Sequence, residues 1–290
     1  MLHALIAIIF PLFALVAIGF FYGRRHWPDM AVANRINLDI FTPALIFSVM
    51  SAKDFQIAAY RELALAGVLV ILGSGLIAWP IARLAGWRVK VFVPPMMFTN
   101  SGNMGLPLAV LAFGENALPA ALVLFLVENT LHFTVGNVLL EGRVHLGMLL
   151  RIPMLQATLV GLVVALLDIT VWKPLAVALD LLGQVAIPLM LFALGVRMTR
   201  IDFQDWRIGL AGAVICPVSG IAIALLVAPF LEMTDQQYAQ LLVFSVLPPA
   251  VLNFMLAEKF GESPEAVASI VLMGNLASVV TLPAVLAWVL

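Results

Sequence analysis

Residues 99–108 read TNSGNMGLPL, and residues 246–254 read VLPPAVLNF, each inside an otherwise apolar run. The first stretch holds Asn100, Asn103, Gly102, Gly105 and Pro107; the second holds Pro248, Pro249 and Asn253. A proline has no N–H to donate and disfavours an unbroken helix, and glycine tolerates unwound backbone and close approach. A helix that restarts after such a break presents free N–H groups and about half a positive charge. Two such ends meeting in one cavity would hold a carboxylate without an arginine, and neither apolar run contains one. The expected substrate-binding residues are therefore Asn100, Asn103, Gly105, Pro107, Pro248, Pro249 and Asn253, with half-helices beginning near Gly105 and near Ala250. The plainer alternative is a pair of proline kinks that serve packing, since proline and glycine are common in membrane helices.

A second set is ionisable or polar within apolar runs. Asp39, Glu128 and His132 are of this kind, and Glu128 and His132 are four residues apart, on one helical face. Charge at bilayer depth is costly and is usually kept for a cavity or a partner, so a carboxylate beside a histidine could take up and release a proton during transport. Asn275 lies 147 positions after Glu128 and completes the candidate coupling set of Asp39, Glu128, His132 and Asn275. Each of these could equally be a polar side chain satisfied by a neighbouring helix.

The elements that must position these residues follow from composition. The chain is 63% hydrophobic and 11% charged, more apolar surface than a soluble core absorbs. Continuous apolar runs of the length that crosses a bilayer recur, without the period-two alternation of a barrel. Ten spans are expected, at roughly 2–22, 32–51, 62–82, 91–113, 117–140, 152–170, 174–197, 207–231, 237–258 and 264–289. The first is read as a retained helix because no basic segment precedes it. With this count, 12 of the Lys and Arg residues fall on one side and only Lys53, Arg61 and Lys173 on the other. Cationic loops stay cytoplasmic, so both termini are expected on the opposite side.

An internal repeat appears at offsets of 145 to 148 residues. FTPALIF (41–47) matches AIPLMLF (186–192), KDF (53–55) matches IDF (201–203), and AFGEN (112–116) matches KFGES (259–263). Five spans per copy invert the second copy, which divides the chain into 1–145 and 146–290. The expected fold is thus an all-α polytopic membrane protein of two inverted five-helix repeats, with helices four and nine broken and crossing. Inverted repeats around a midplane site typify secondary transporters.

Other chemistry lacks its signatures. There is no HExxH, Walker lysine or GxSxG, and net charge is −1, so no metal, cofactor or nucleic acid is implied. Cys216 is the single cysteine and cannot form an intramolecular disulfide. A non-transporting receptor would need an output domain, for which the short loops leave no room. An intramembrane enzyme would need Asp39 and Glu128 on facing spans, which nothing in the sequence requires.

FTNSGNMGLPL, PALIF, AIPLMLFALGVRM, LPPAVLNFMLAEKFG and TLPAVLAWVL together resemble the auxin efflux carrier family over nearly the whole chain. The resemblance implies a scaffold domain and a transport domain, a crossover of spans four and nine as in bile-acid symporters and sodium/proton antiporters, and a homodimer. It also implies a carrier or uniporter for small organic anions such as malate, malonate or auxin-like acids. Proton- or sodium-coupled symport is the alternative. Only about ten residues (141–151) stand where plant members carry a long loop, which points to the short bacterial type in an inner membrane.

Overall fold

The computed structural model describes residues 2–52, 55–142, 147, 151–199 and 205–290. Lys53, Arg143, Arg200, most of the 53–55/201–203 repeat match and the expected boundary at 145/146 lie outside them. The described chain is helical: α1 Leu2–His26, α2 31–50, α3 Ile57–Leu84, α4 Val89–Met97, α5 Ser101–Phe113 and α6 Glu115–Glu141, then α7 Pro153–Leu166, α8 Lys173–Met198, α9 Trp206–Phe230, α10 Asp235–Ser245, α11 Val251–Phe260 and α12 Pro264–Val289. α1, α3, α6, α8, α9 and α12 are long and apolar enough to cross a membrane. Helix ends match the sequence expectation to within five residues.

Local chemistry accounts for several of these ends. α10 starts at a capping box in which Thr234 accepts from the Gln237 N–H and the Gln237 side chain accepts from the Thr234 N–H. Gln237 also donates to the Ala59 carbonyl at 2.8 Å, tying this turn to the start of α3. After α5 the chain turns at Gly114 (φ 82°), and after α11 at Gly261 (φ 65°), conformations that favour glycine. These are the two glycines that AFGEN and KFGES align.

The helices pack as two groups. α1, α2, α7 and α8 lie mainly on one another, as do α3, α4, α6 and α9–α12. α5 touches both groups: its first turn meets α8 and α6, and its remainder meets α1. A buried cluster joins Leu45, Ile46 and Met50 of α2 to Leu106 of α5 and Leu122 and Phe125 of α6. At one end of the second group, buried Glu262 pairs with Arg88 and, at 3.2 Å, with Lys90. Lys90 also donates to the Leu140 carbonyl at 2.7 Å, so one cluster binds the start of α4, the end of α6 and the α11–α12 turn.

Candidate functional site

The two polar stretches are helix breaks, and they meet. α4 ends at Met97 and α5 begins at Ser101; α10 ends at Ser245 and α11 begins at Val251. Thr99 and Pro249 form an antiparallel bridge. The Asn100 N–H donates to the Pro248 carbonyl at 2.7 Å, and the Ala250 N–H donates to the Phe98 carbonyl at 3.0 Å. Each break thereby supplies what the other lacks, which removes most of the cost of unwound backbone in an apolar setting. Pro248 and Pro249 fit because they contribute carbonyl acceptors and leave no N–H to satisfy.

Side chains complete the exchange. Asn253 donates to the Phe98 carbonyl at 2.8 Å and to the Ala250 carbonyl at 3.0 Å. Asn275 of α12 donates to the Pro249 carbonyl at 3.1 Å and to the Val271 carbonyl at 2.8 Å. Asn100 donates to Asn275 Oδ1 at 3.4 Å, and Asn103 donates to Asn100 Oδ1 at 3.1 Å. A directed relay therefore runs from half-buried Asn103 through buried Asn100 and Asn275 to the second break. A Cβ at Gly274 would sit 2.5 Å from the Pro249 ring, so glycine is needed for α12 to approach the break.

The α-helical part of α5 does start after Gly105, with Pro107 in its first turn, but a π turn, Ser101–Gly105, precedes it. The N–H groups without an intrahelical acceptor therefore belong to Ser101, Gly102 and Asn103, one turn earlier than expected. Pro107 is buried in the helix, and Gly105 lies against Leu247, whose Cδ1 would be 2.9 Å from an added Cβ. α11 opens at Val251, as the sequence suggested.

Glu128 and His132 border the same crossover. Glu128 is buried and accepts from the Thr99 hydroxyl at 3.2 Å, with Ser101 beside it. No salt bridge among the described residues involves it. His132 stacks on Phe98 with ring centroids 4.1 Å apart, and its buried Nε2 has no hydrogen-bond partner.

This geometry is accompanied by a sequence match. The model of the family described as "Membrane transport protein" matches residues 143–286. The chain is also 28% identical over 307 aligned residues to a Rhizobium meliloti (strain 1021) protein named "Putative malonate transporter", covering 96% of this chain and 94% of that one. The second half of the chain thus matches a membrane transport family. The resemblance to auxin efflux carriers drawn from its motifs is thereby borne out, and the apolar helices are those of an integral membrane transporter.

Within the transporter, Asn100, Asn103, Gly105, Pro248, Pro249, Asn253, Glu128, His132 and Asn275 come together at or beside the crossover. Asp39 does not join them. It is exposed on a π turn of α2, Asn37–Phe41, and forms no hydrogen bond or ion pair with the crossover. Sequence reasoning passed over Thr99 and Ser101 as partners of Glu128, and Gln240 of α10, buried with Oε1 unpaired. The signal for Gln240 was a polar residue one turn into an apolar helix.

Proposed function

We propose that this transporter is a secondary carrier for small organic carboxylates, malonate being the first candidate because a full-length relative carries that name. The carboxylate would sit against the N-terminal turn of α5, facing the free N–H groups of Ser101, Gly102 and Asn103 and the Asn103 side chain. The observation that carries this reading is the mutual capping of the two breaks, which fixes that turn, with its unpaired N–H groups, at the junction of the two helix groups. Asn100, Asn253 and Asn275 act as clamps, since both amide hydrogens of Asn253 and of Asn275 are already spent on carbonyls. In this reading the chain crosses the membrane ten times as two inverted repeats, with both termini outside. The bridge partners lie 150 positions apart, close to the repeat offset. α1, α2, α7 and α8 would form the scaffold, and the other group would move against it to give alternating access.

Radiolabelled malonate uptake into proteoliposomes tests the proposal. Asn103→Ala removes a donor to a charged ligand, a loss of about 1.5–3 kcal/mol, or roughly 10- to 100-fold in affinity. Uptake by Asn103→Ala equal to that of the unmodified protein would remove the site assignment.

A further inference from the structure

Beside the crossover runs a narrow seam bounded by three helix faces. It follows α5 from Ser101 to Phe113, with Ala121 and Leu124 of α6 on one side and Gln240 of α10 and Leu247 on the other. Ser101 and Phe113 are twelve residues apart, about 18 Å of helix. Phe113 is partly exposed and marks the outer end. The inner end is Ser101, beside Glu128, which continues the Leu124 face one turn along α6.

Size and chemistry restrict what can enter. The open volume is about 20 Å³, enough for roughly one water at a time and too little for an organic acid. The polar groups along it are the Ser101 hydroxyl and the orphaned Oε1 of Gln240, which is 4% exposed. Behind Ser101, outside the seam's own lining, is the Glu128 carboxylate, which has no cationic partner among the described residues. A mostly apolar path with two side-chain oxygens, leading toward an uncompensated carboxylate, favours a cation over an anion. Walls of Ala, Leu, Val and Phe offer too few oxygens to replace the hydration shell of a sodium ion.

We infer that this seam delivers protons to Glu128, making substrate movement proton-coupled; the inference rests on the carrier reading above. A hydronium ion in the seam gives its proton to the Glu128 carboxylate, forming an O–H bond and leaving water. Release to the other side of the membrane reverses the step. Gln240 Oε1 accepts from a water midway, and Thr99 and Ser101 orient the carboxylate. The titratable side chains about Glu128 are the buried Cys216 thiol of α9 and His132 one turn on in α6.

The test compares malonate uptake into proteoliposomes under an inward proton gradient, an inward sodium gradient and neither, subtracting uptake by protein-free vesicles. Malonate–malonate exchange is measured alongside. The proton gradient should raise uptake severalfold and the sodium gradient should not. In Glu128→Gln the ratio of uptake with and without the proton gradient should fall to unity, and Glu128→Asp should restore a ratio above it. Gln240→Leu replaces an orphaned oxygen by hydrocarbon and should fold; it should slow gradient-driven uptake more than exchange. A wild-type response to sodium alone, or a Glu128→Gln ratio equal to wild type, overturns the inference. Exchange without any gradient response sinks the coupling alone, whereas absence of malonate exchange sinks the carrier reading and this inference with it.

Discussion

The Asn253 amide donates to the Phe98 carbonyl at 2.8 Å, joining residues 155 positions apart across the two helix breaks. Its second hydrogen goes to the Ala250 carbonyl at 3.0 Å, so one side chain fastens the end of α4 to the start of α11. Asn253→Ala removes one of the two donors to each carbonyl, since Phe98 keeps the Ala250 N–H and Ala250 keeps the Asn253 N–H, a cost of about 0.5–1.5 kcal/mol per bond. The expected result is a melting temperature lowered by roughly 2–4 °C per kcal/mol, read on purified protein in detergent. An unchanged melting temperature would show that the clamp contributes nothing.

The same bond shows where sequence reasoning stops. Pro107, Pro248 and Pro249 flag the two breaks, because a missing N–H is a property of the residue itself. Which atoms satisfy the unwound backbone depends on a partner far along the chain, and no spacing reveals it. The π turns were equally invisible. One extra residue in a turn rotates the rest of the helix by roughly 100°, so a face drawn at the α-helical period is lost, as Asp39 on its exposed π turn illustrates. Asn103 was singled out by type, and the open N–H groups fall one turn before Gly105 because Ser101–Gly105 is a π turn. Gln240 was passed over because its T-D-Q-Q surroundings look like a helix start facing solvent, whereas it is buried near α5 and Ala121 and Leu124 of α6.

Gly274 lets α12 touch the second break. An added Cβ would lie 2.5 Å from Pro249 Cδ, a ring atom that cannot swing aside. Gly274→Ala should cost about 1–3 kcal/mol as overpacking and should also displace Pro249, lowering malonate uptake. Gly67→Ala is the control, since its Cβ would meet the flexible end of Leu124 at 3.0 Å and Val127 Cγ1 at an ordinary 3.6 Å. Equal uptake and equal melting in the two variants would contradict the contact.

Glu262 is shared by Arg88 and Lys90, whose side chains are 59% and 46% exposed. Solvent therefore screens the cluster, and Glu262→Gln should cost only about 1 kcal/mol or less. The difference in melting temperature from wild type should shrink as salt rises toward 1 M, where the screening length is about 3 Å. A difference that does not change with salt would point to packing at this turn.

Gly114 and Gly261 occupy matching places after the two half-helices, yet their backbones differ. Gly261 has φ 65° and ψ 32°, the left-handed region that other residues visit at a cost of about 1–2 kcal/mol. Gly114 has φ 82° and ψ 175°, a region essentially reserved for glycine. Neither has an atom within 4 Å of an added Cβ, so crowding does not enter and only the backbone decides. Gly114→Ala should therefore lower the melting temperature more than Gly261→Ala. Gly261→Asn should recover part of its loss, because asparagine tolerates the left-handed region, while Gly114→Asn should not. If the two alanine variants melt together, the turns share one conformation and the aligned repeat is closer than their angles indicate.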